Sequence, residues 1–217
     1  MPDSAPGILA IWNDVAPGRD ADFNIWFQGE HLEERLAVPG FLYGRRHQAI
    51  SGASGYFNFY LVESPATLTS RPYLERLNNP TPMTKMIMSD VFKNMNRTLC
   101  HRALRRGAMR GACAVTVRFD ETPDEAALAV LLDELLADTN IVSGEIWMAA
   151  EPEGQPLTQE EKLRGGDRKI RGALMVDTLR QSDAEALGAR LAKQYPQGEV
   201  GVFRVLCQLG QGAAFAT

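Results

Sequence analysis

The side chains most able to do chemistry in this chain lie in its first half. His31 falls on a stripe with Phe23, Phe27 and Glu34 at i, i+4, i+8 and i+11 spacing, which is one face of a helix. Histidine titrates nearest neutral pH and is the usual group for moving a proton. The stripe begins apolar, so the ring is expected to be partly buried. Glu34, a turn further on, is placed to hold the ring tautomer or raise its pKa. The bland alternative is a structural histidine bonded to Glu34 or to a strand end. Arg45 and Arg46 are neighbours in a strand-like segment, so alternation turns one of them inward. An inward arginine would clamp a carboxylate or enolate; the competing reading is a rim ion pair with Glu30 or Glu34. His47 and His101 are the remaining histidines, each better suited to a structural place in a strand.

These residues need elements to hold them. Strands are expected over residues 7–14, 41–50, 56–63 and near 97–104. Helices are expected from Asp20 or Asp22 to about Val38 and from Ser64-Pro65 to about Leu77. Residues 83–95 read as a further helix or an irregular crossing. The order then recurs: strand 112–119, a helix opened by Thr122-Pro-Asp-Glu125 and running to about Ala137, strand 141–150, strand 172–178, helix 182–194 and strand 200–208. The stretch from Glu151 to Arg171 is a long polar insertion of the kind that acts as a lid or stays a surface loop. The tail from Gly210 is expected to fray. Two βαββαβ units, residues 1–107 and 108–217, each leave one sheet face open. Pairing those faces gives an α+β fold in which two ferredoxin-like repeats with antiparallel sheets close into one barrel.

Strand alternation then proposes a chamber. Phe57, Phe59 and Leu61 share one face of the third strand, and Tyr56, Asn58 and Tyr60 share the other. The purely apolar face is expected beneath the helices, together with Leu9 and Ile11. The mixed face, with Trp12 and Asp14, is expected to line the barrel lumen. Trp12, Tyr56, Asn58 and Tyr60 would wall a small-molecule site, apolar with a few polar groups. The alternative is a lumen filled by its own side chains. Trp147 and Arg171 are the second half's candidates for a lid.

Composition excludes other classes. The 217 residues carry net charge -4 with both signs interspersed, which is no footprint for nucleic acid. The basic run Arg102, Arg105, Arg106 and Arg110 reads as a solvated junction. Three scattered cysteines fit a reducing compartment, and no leader or long apolar run stands out, so a cytoplasmic protein away from membranes is expected. Phosphate-binding glycine patterns, a nucleophile elbow and metal-ligand spacings do not occur, so no metal is expected.

The stretch Phe23-Asn-x-Trp26-x3-Glu30-His-Leu-x-Glu34-Arg, then Val38-Pro-Gly-Phe41 and Arg45-Arg46, resembles the dimeric α+β barrel superfamily near its EthD-like branch. Tyr73-x2-Arg76-Leu and Asn79-Pro-Thr81 carry the same resemblance, which covers about residues 7–105. It implies that His31 sits at a pocket mouth. The missing histidine in the second half counts against haem, which some tandem barrels bind there, so no cofactor is expected. Branch members usually carry one unit per chain and dimerise, so a homodimer of barrels remains open. The function expected from resemblance and pocket together is proton-transfer chemistry on a small aromatic or enolisable acid, of isomerase, lyase or cyclase type. His31 would move the proton, Arg45 or Arg46 would stabilise the oxyanion, and Tyr60 would help orient substrate. Trp12, Trp26, Glu34, His47, Tyr56 and Asn58 would contact substrate. A cofactor-free monooxygenase of a phenol is the nearest rival, followed by a non-catalytic small-ligand module and a structural interaction protein.

Overall fold

The computed structural model describes residues 5–150, 154 and 156–210. Its strands are β1 (Gly7–Val15), β2 (Phe41–Ser51), β3 (Tyr56–Val62), β4 (Phe92–Arg106), β5 (Cys113–Phe119), β6 (Ile141–Ala149), β7 (Gly172–Thr178) and β8 (Glu199–Gly210). They close into one antiparallel barrel in the order β1-β3-β2-β8-β5-β7-β6-β4. The first four strands in sequence are contiguous in that ring as β4-β1-β3-β2, and the last four as β8-β5-β7-β6. Closure uses two seams, β2 against β8 and β4 against β6. The expected tail beyond Gly210 lies outside the described residues.

Helices cover the outside. α1 (Asp20–Trp26) passes through a π-helical turn, Phe27–His31, into α2 (Leu32–Leu36). A 3-10 turn at Pro65–Thr69 leads to α3 (Arg71–Asn78), where one continuous helix was expected. α4 (Pro82–Met86) and a second π turn, Ile87–Val91, occupy the ambiguous crossing, and β4 starts earlier than the sequence suggests. α5 (Glu125–Leu135) is capped by Asp124, whose carboxylate accepts from the Ala126 and Ala127 amides. The insertion contributes α6 (Gln159–Leu163), and α7 (Gln181–Gln194) packs against β5 and β8. Gly40 takes φ of +89°, which lets the chain turn tightly from the α2 end into β2.

The core has three parts. One cluster joins Ile8, Trp12, Tyr43, Phe57, Phe59, Cys100, Ala114, Trp147, Met175 and Phe203, which come from all eight strands and from no helix. That cluster is the lumen. A second joins Leu9, Tyr56, Tyr60 and Val62 to the α1–α4 side chains. A third packs Leu128, Leu132, Leu187 and Leu191 on the β5–β8 sheet. Every residue of β3 is buried, because lumen and helix layer press on its two faces.

The face assignment for β3 is therefore reversed from the expectation. Phe57, Phe59 and Leu61 fill the lumen, whereas Tyr56, Asn58 and Tyr60 face the helix layer. The register gives the reason: Trp12 pairs with Phe57, Ile11 with Asn58 and Leu9 with Tyr60. Directly paired residues share a face, so a lumenal Trp12 requires a lumenal Phe57. Asp14 lies at the rim, where it accepts from the Gly55 amide and the Asn94 side chain.

Candidate functional site

The lumen is packed. Trp12 stacks on Phe57 at 5.0 Å, Phe59 meets Trp147 at 5.3 Å and Phe203 meets Phe57 at 5.4 Å between ring centroids. The Trp12 indole N–H donates across the barrel to Thr116. His47 lies in the same stack, 4.8 Å from Phe57, and its Nδ1 donates to the Phe57 carbonyl. Trp147 is thus a lumen side chain and no lid, and its N–H donates to Glu145. Arg171 is exposed.

Arg45 is the inward arginine of the pair, and there it is engaged by protein groups. Its guanidinium holds both Asp177 carboxylate oxygens, at 2.7 and 3.0 Å, and the Gly111 carbonyl. Arg46 points the other way, lying 4.2 Å over Phe23 and 4.6 Å over Phe27 and donating to Asn24. Neither makes the rim ion pair considered for it: Glu34 lies 3.7 Å from Arg76, and Glu30 accepts from Thr81 and Thr84. Of the basic run only Arg106 is solvated, paired with the exposed Asp133; the other three gather on one buried carboxylate. Arg105 and Arg110 bind the buried Glu145 at 2.5 and 2.9 Å, and Arg102 approaches it at 3.7 Å. These ionic contacts need low exposure to be worth much, and Glu145 is fully buried.

The cavity with chemistry lies between the β1–β4 sheet and the helices. Its wall includes Trp26, Phe27, His31, Arg35, Asn58, Tyr60, Tyr73, Arg97, Glu160 and Arg164. As closed here it encloses about 30 Å³, room for about two waters. Of the expected site residues, the structure brings together His31, Tyr60, Asn58 and Trp26. It leaves out Arg45, Arg46, Trp12, Tyr56, Glu34 and His47. Tyr56 is turned to the α1 end, where its hydroxyl donates to Asp20.

Two π turns shape this cavity. The turn Phe27–His31 adds a residue to the helix and brings His31 inward, with Arg35 one turn below. Such turns recur at functional sites because they widen the helix and re-aim side chains. His31 lies against Trp26 and edge-on to Tyr60. Trp26 is held by its N–H bond to Thr84, which in turn donates to Glu30.

Four polar atoms in this wall are unsatisfied. His31 Nδ1, Arg35 Nη1, the Tyr60 hydroxyl and Asn58 Oδ1 are buried without a hydrogen-bond partner among the described residues. Buried polar groups are normally paired, so four orphans in one cavity mark a place for a ligand or ordered water. Burial, reinforced by the positive charge of Arg35, Arg46 and Arg164, pulls the His31 pKa well below 6.5. The ring is therefore neutral near pH 7 and able to accept a proton. Burial pushes the Tyr60 hydroxyl up, keeping it a donor. Arg35 holds its charge: burial works against it, but the attraction of Glu160, Tyr73 and Glu34 together with the hydrogen bond to Glu160 outweighs that penalty. Glu34, the partner expected for His31, makes no bond to it, and burial raises its carboxyl pKa.

Arg35, Tyr73, Arg97, Glu160 and Arg164 were missed from sequence. Arg35 was within reach, since it follows His31 at i+4. Glu160 and Arg164 are an i, i+4 pair inside a stretch that reads as loop. Among the described residues, no three His, Cys, Asp or Glu side chains are grouped to hold a metal ion. No helix among them is long and apolar enough to cross a membrane.

No protein-family profile and no curated protein sequence matches this chain. Solved structures do. An anthrone oxidase-like protein is 12% identical, with a TM-score of 0.63 over 99% of this chain and 97% of that one. A protein of Fusobacterium nucleatum subsp. nucleatum ATCC 25586, described as a candidate monooxygenase, is 8% identical, with a TM-score of 0.58 over 96% of each chain. A similarly described protein of Lactobacillus acidophilus NCFM is 8% identical, with a TM-score of 0.52 over 96% of this chain and 97% of that one. At these identities the likeness is one of fold: a ferredoxin-like α+β barrel. The EthD-like branch is not singled out by them.

Proposed function

We propose that the chain is a cofactor-independent oxygenase that starts by taking a proton from a small phenolic or enolisable substrate. The observation that carries this reading is a neutral His31 with a free Nδ1, in one cavity with the unpartnered Tyr60 hydroxyl and Arg35 Nη1. His31 accepts the proton as the substrate O–H or C–H bond breaks, and the electron pair stays on the substrate as a phenolate or enolate. Tyr60 and Arg35 donate to the oxygen where that charge collects. An anion so formed is electron-rich enough to reduce molecular oxygen. At a methylene flanked by two rings, one oxygen atom becomes the new ketone, and the other leaves as water with the two methylene hydrogens. The names of the structural neighbours, an anthrone oxidase-like protein and candidate monooxygenases, favour oxygen as the second reactant.

Isomerase, lyase or cyclase chemistry shares the first step and differs in what the enolate meets next. An oxygen electrode separates the two. With a hydroxynaphthoic acid or a carboxylated anthrone as substrate and no added metal or flavin, oxygen uptake is expected to match substrate loss mole for mole. Deuterium exchange from solvent into recovered substrate, without uptake, would instead leave proton transfer alone. Binding without either signal would remove the catalytic reading and leave a binding module.

A further inference from the structure

The cavity cannot admit a substrate as it stands. A benzene-sized ligand takes a cavity of about 150 Å³, against the 30 Å³ enclosed here, so part of the wall must move. The sheet side is bonded on both edges of β1 and β3. The α1–α2 side is anchored by the buried Phe23, Trp26 and Phe27. The α3 wall and the second π turn are anchored by the buried Tyr73, Leu77 and Met88, which leaves α6, brought over the cavity from the insertion between β6 and β7. It is held by Leu163 against the core and by polar contacts: the Gln159 amide donates to Asn78, Arg164 reaches Met88, and Glu160 binds Arg35 Nη2 at 2.5 Å.

We propose that Glu160 stands where the substrate's own carboxylate binds, and that the substrate is an aromatic or enolised acid with a hydroxyl beside that carboxylate. Arg35 and Glu160 are 2% and 4% exposed at their side chains. A guanidinium so deeply buried cannot lose its counter-ion without a large penalty. Moving α6 away therefore requires another anion on Arg35, which a carboxylate supplies and a neutral phenol does not. Half of the guanidinium fork is already free, since Nη1 has no partner. A planar acid can place a carboxylate oxygen on Nη2 and the neighbouring hydroxyl oxygen on Nη1. That second position is where Arg35 and Tyr60 meet the oxyanion of the reaction proposed above, on which this inference rests. Glu160 is then an internal competitor, and the substrate's charge opens the lid.

The test uses the whole chain with salicylate, and phenol as the neutral control, followed by tryptophan fluorescence and hydrogen exchange. Salicylate is expected to bind, to speed amide exchange over residues 159–163, and to bind Glu160→Gln roughly 10-fold more tightly, because the closed competitor is weakened. Phenol, which brings no anion to replace Glu160, is expected to bind neither form measurably. Equal or weaker salicylate binding by Glu160→Gln, or unchanged exchange in the wild-type chain, overturns the exchange of carboxylates. If the variant does not fold, the wild-type exchange measurement decides alone. Phenol binding without salicylate binding overturns the acid class and leaves the cavity reading intact. If neither ligand binds, the cavity reading itself fails.

Discussion

The His31 imidazole lies nearly flat on the Trp26 indole, with ring centroids 4.0 Å apart and planes 30° from parallel. Trp26 is itself fixed through Thr84 to Glu30, so the base is oriented by a chain of bonds that begins one residue before it. The π turn makes this compact: Glu30 and His31 are neighbours in sequence, and Thr84 and Trp26 connect them in space. Replacing His31 with Gln keeps a polar side chain of similar reach but removes the base. Turnover is expected to fall about 10²–10⁴-fold with the thermal midpoint little changed, as read by an activity assay beside calorimetry. Loss of turnover with wholesale unfolding would make His31 a structural residue.

The same residue sets the pH profile. Its pKa lies below 6.5, so the basic form is already complete at neutrality. The turnover rate is expected to be flat from pH 7 to 8 and to fall only on an acid limb below 6.5. A profile still rising between pH 7 and 9 would point to another group as the base.

Stability should follow pH for a related reason. His31 and His47 are both buried, and burial is the largest cause of the lowered pKa of each. The unfolded chain, with histidines near 6.5, takes up protons that the folded chain refuses. Their contribution is therefore complete above the unfolded value and is lost as pH falls from about 6.5 toward the depressed folded values. Each histidine adds a slope approaching about 1.4 kcal/mol per pH unit in that window. Urea midpoints measured from pH 7.5 to 5.5 are expected to drop steadily, and the drop should shrink when His47 is replaced by Gln.

Much of the fold was legible because the chain repeats its periods: alternation over Ile8–Trp12, a helix start at Thr122–Glu125 (although Asp124, not Thr122, is the cap), turns at Pro39-Gly40. The candidate site was half legible: His31, Tyr60, Asn58 and Trp26 line one cavity, but outside the lumen where the pocket was expected. The error was one residue of register between β1 and β3, and a slip of one turns every side chain to the other face. It arose from assuming that the driest face lies under helices. In a closed barrel the lumen is drier, shielded by eight strands, and Phe57 and Phe59 belong there. The helix layer tolerates His31 and Arg35 because its π turns leave a gap. Glu160 was invisible because its partner, Arg35, is 125 residues away.

The Arg45–Asp177 pair offers a test of compartments. It holds the lumen end, with Ser143 also donating to Asp177, and touches nothing in the cavity. Asp177→Asn leaves the guanidinium buried without its counter-ion. Urea unfolding is expected to show a loss of about 3–5 kcal/mol. Replacing both residues, as Arg45→Met with Asp177→Leu, should recover much of that loss. Substrate binding by the folded fraction should be unchanged in each; a specific loss of binding would return Arg45 to the site.

Gly44 links backbone packing to the cavity. A Cβ there would lie 2.7 Å from Leu32 Cδ1 and 2.9 Å from both Cδ1 and Cε1 of the Tyr60 ring. Leu32 can swing its methyl aside, but Tyr60 is a cavity wall whose hydroxyl must stay aimed. Gly44→Ala is therefore expected to cost about 1–3 kcal/mol from overpacking and to lower turnover further than that loss explains. Gly29, in the π turn that carries His31, is the control: nothing lies within 4 Å of its added Cβ. Gly29→Ala should gain about 0.5–1 kcal/mol by restricting the unfolded chain. Parallel calorimetry and activity on the two variants decide the matter, because a Gly44→Ala protein with normal turnover would show that Tyr60 has no fixed task.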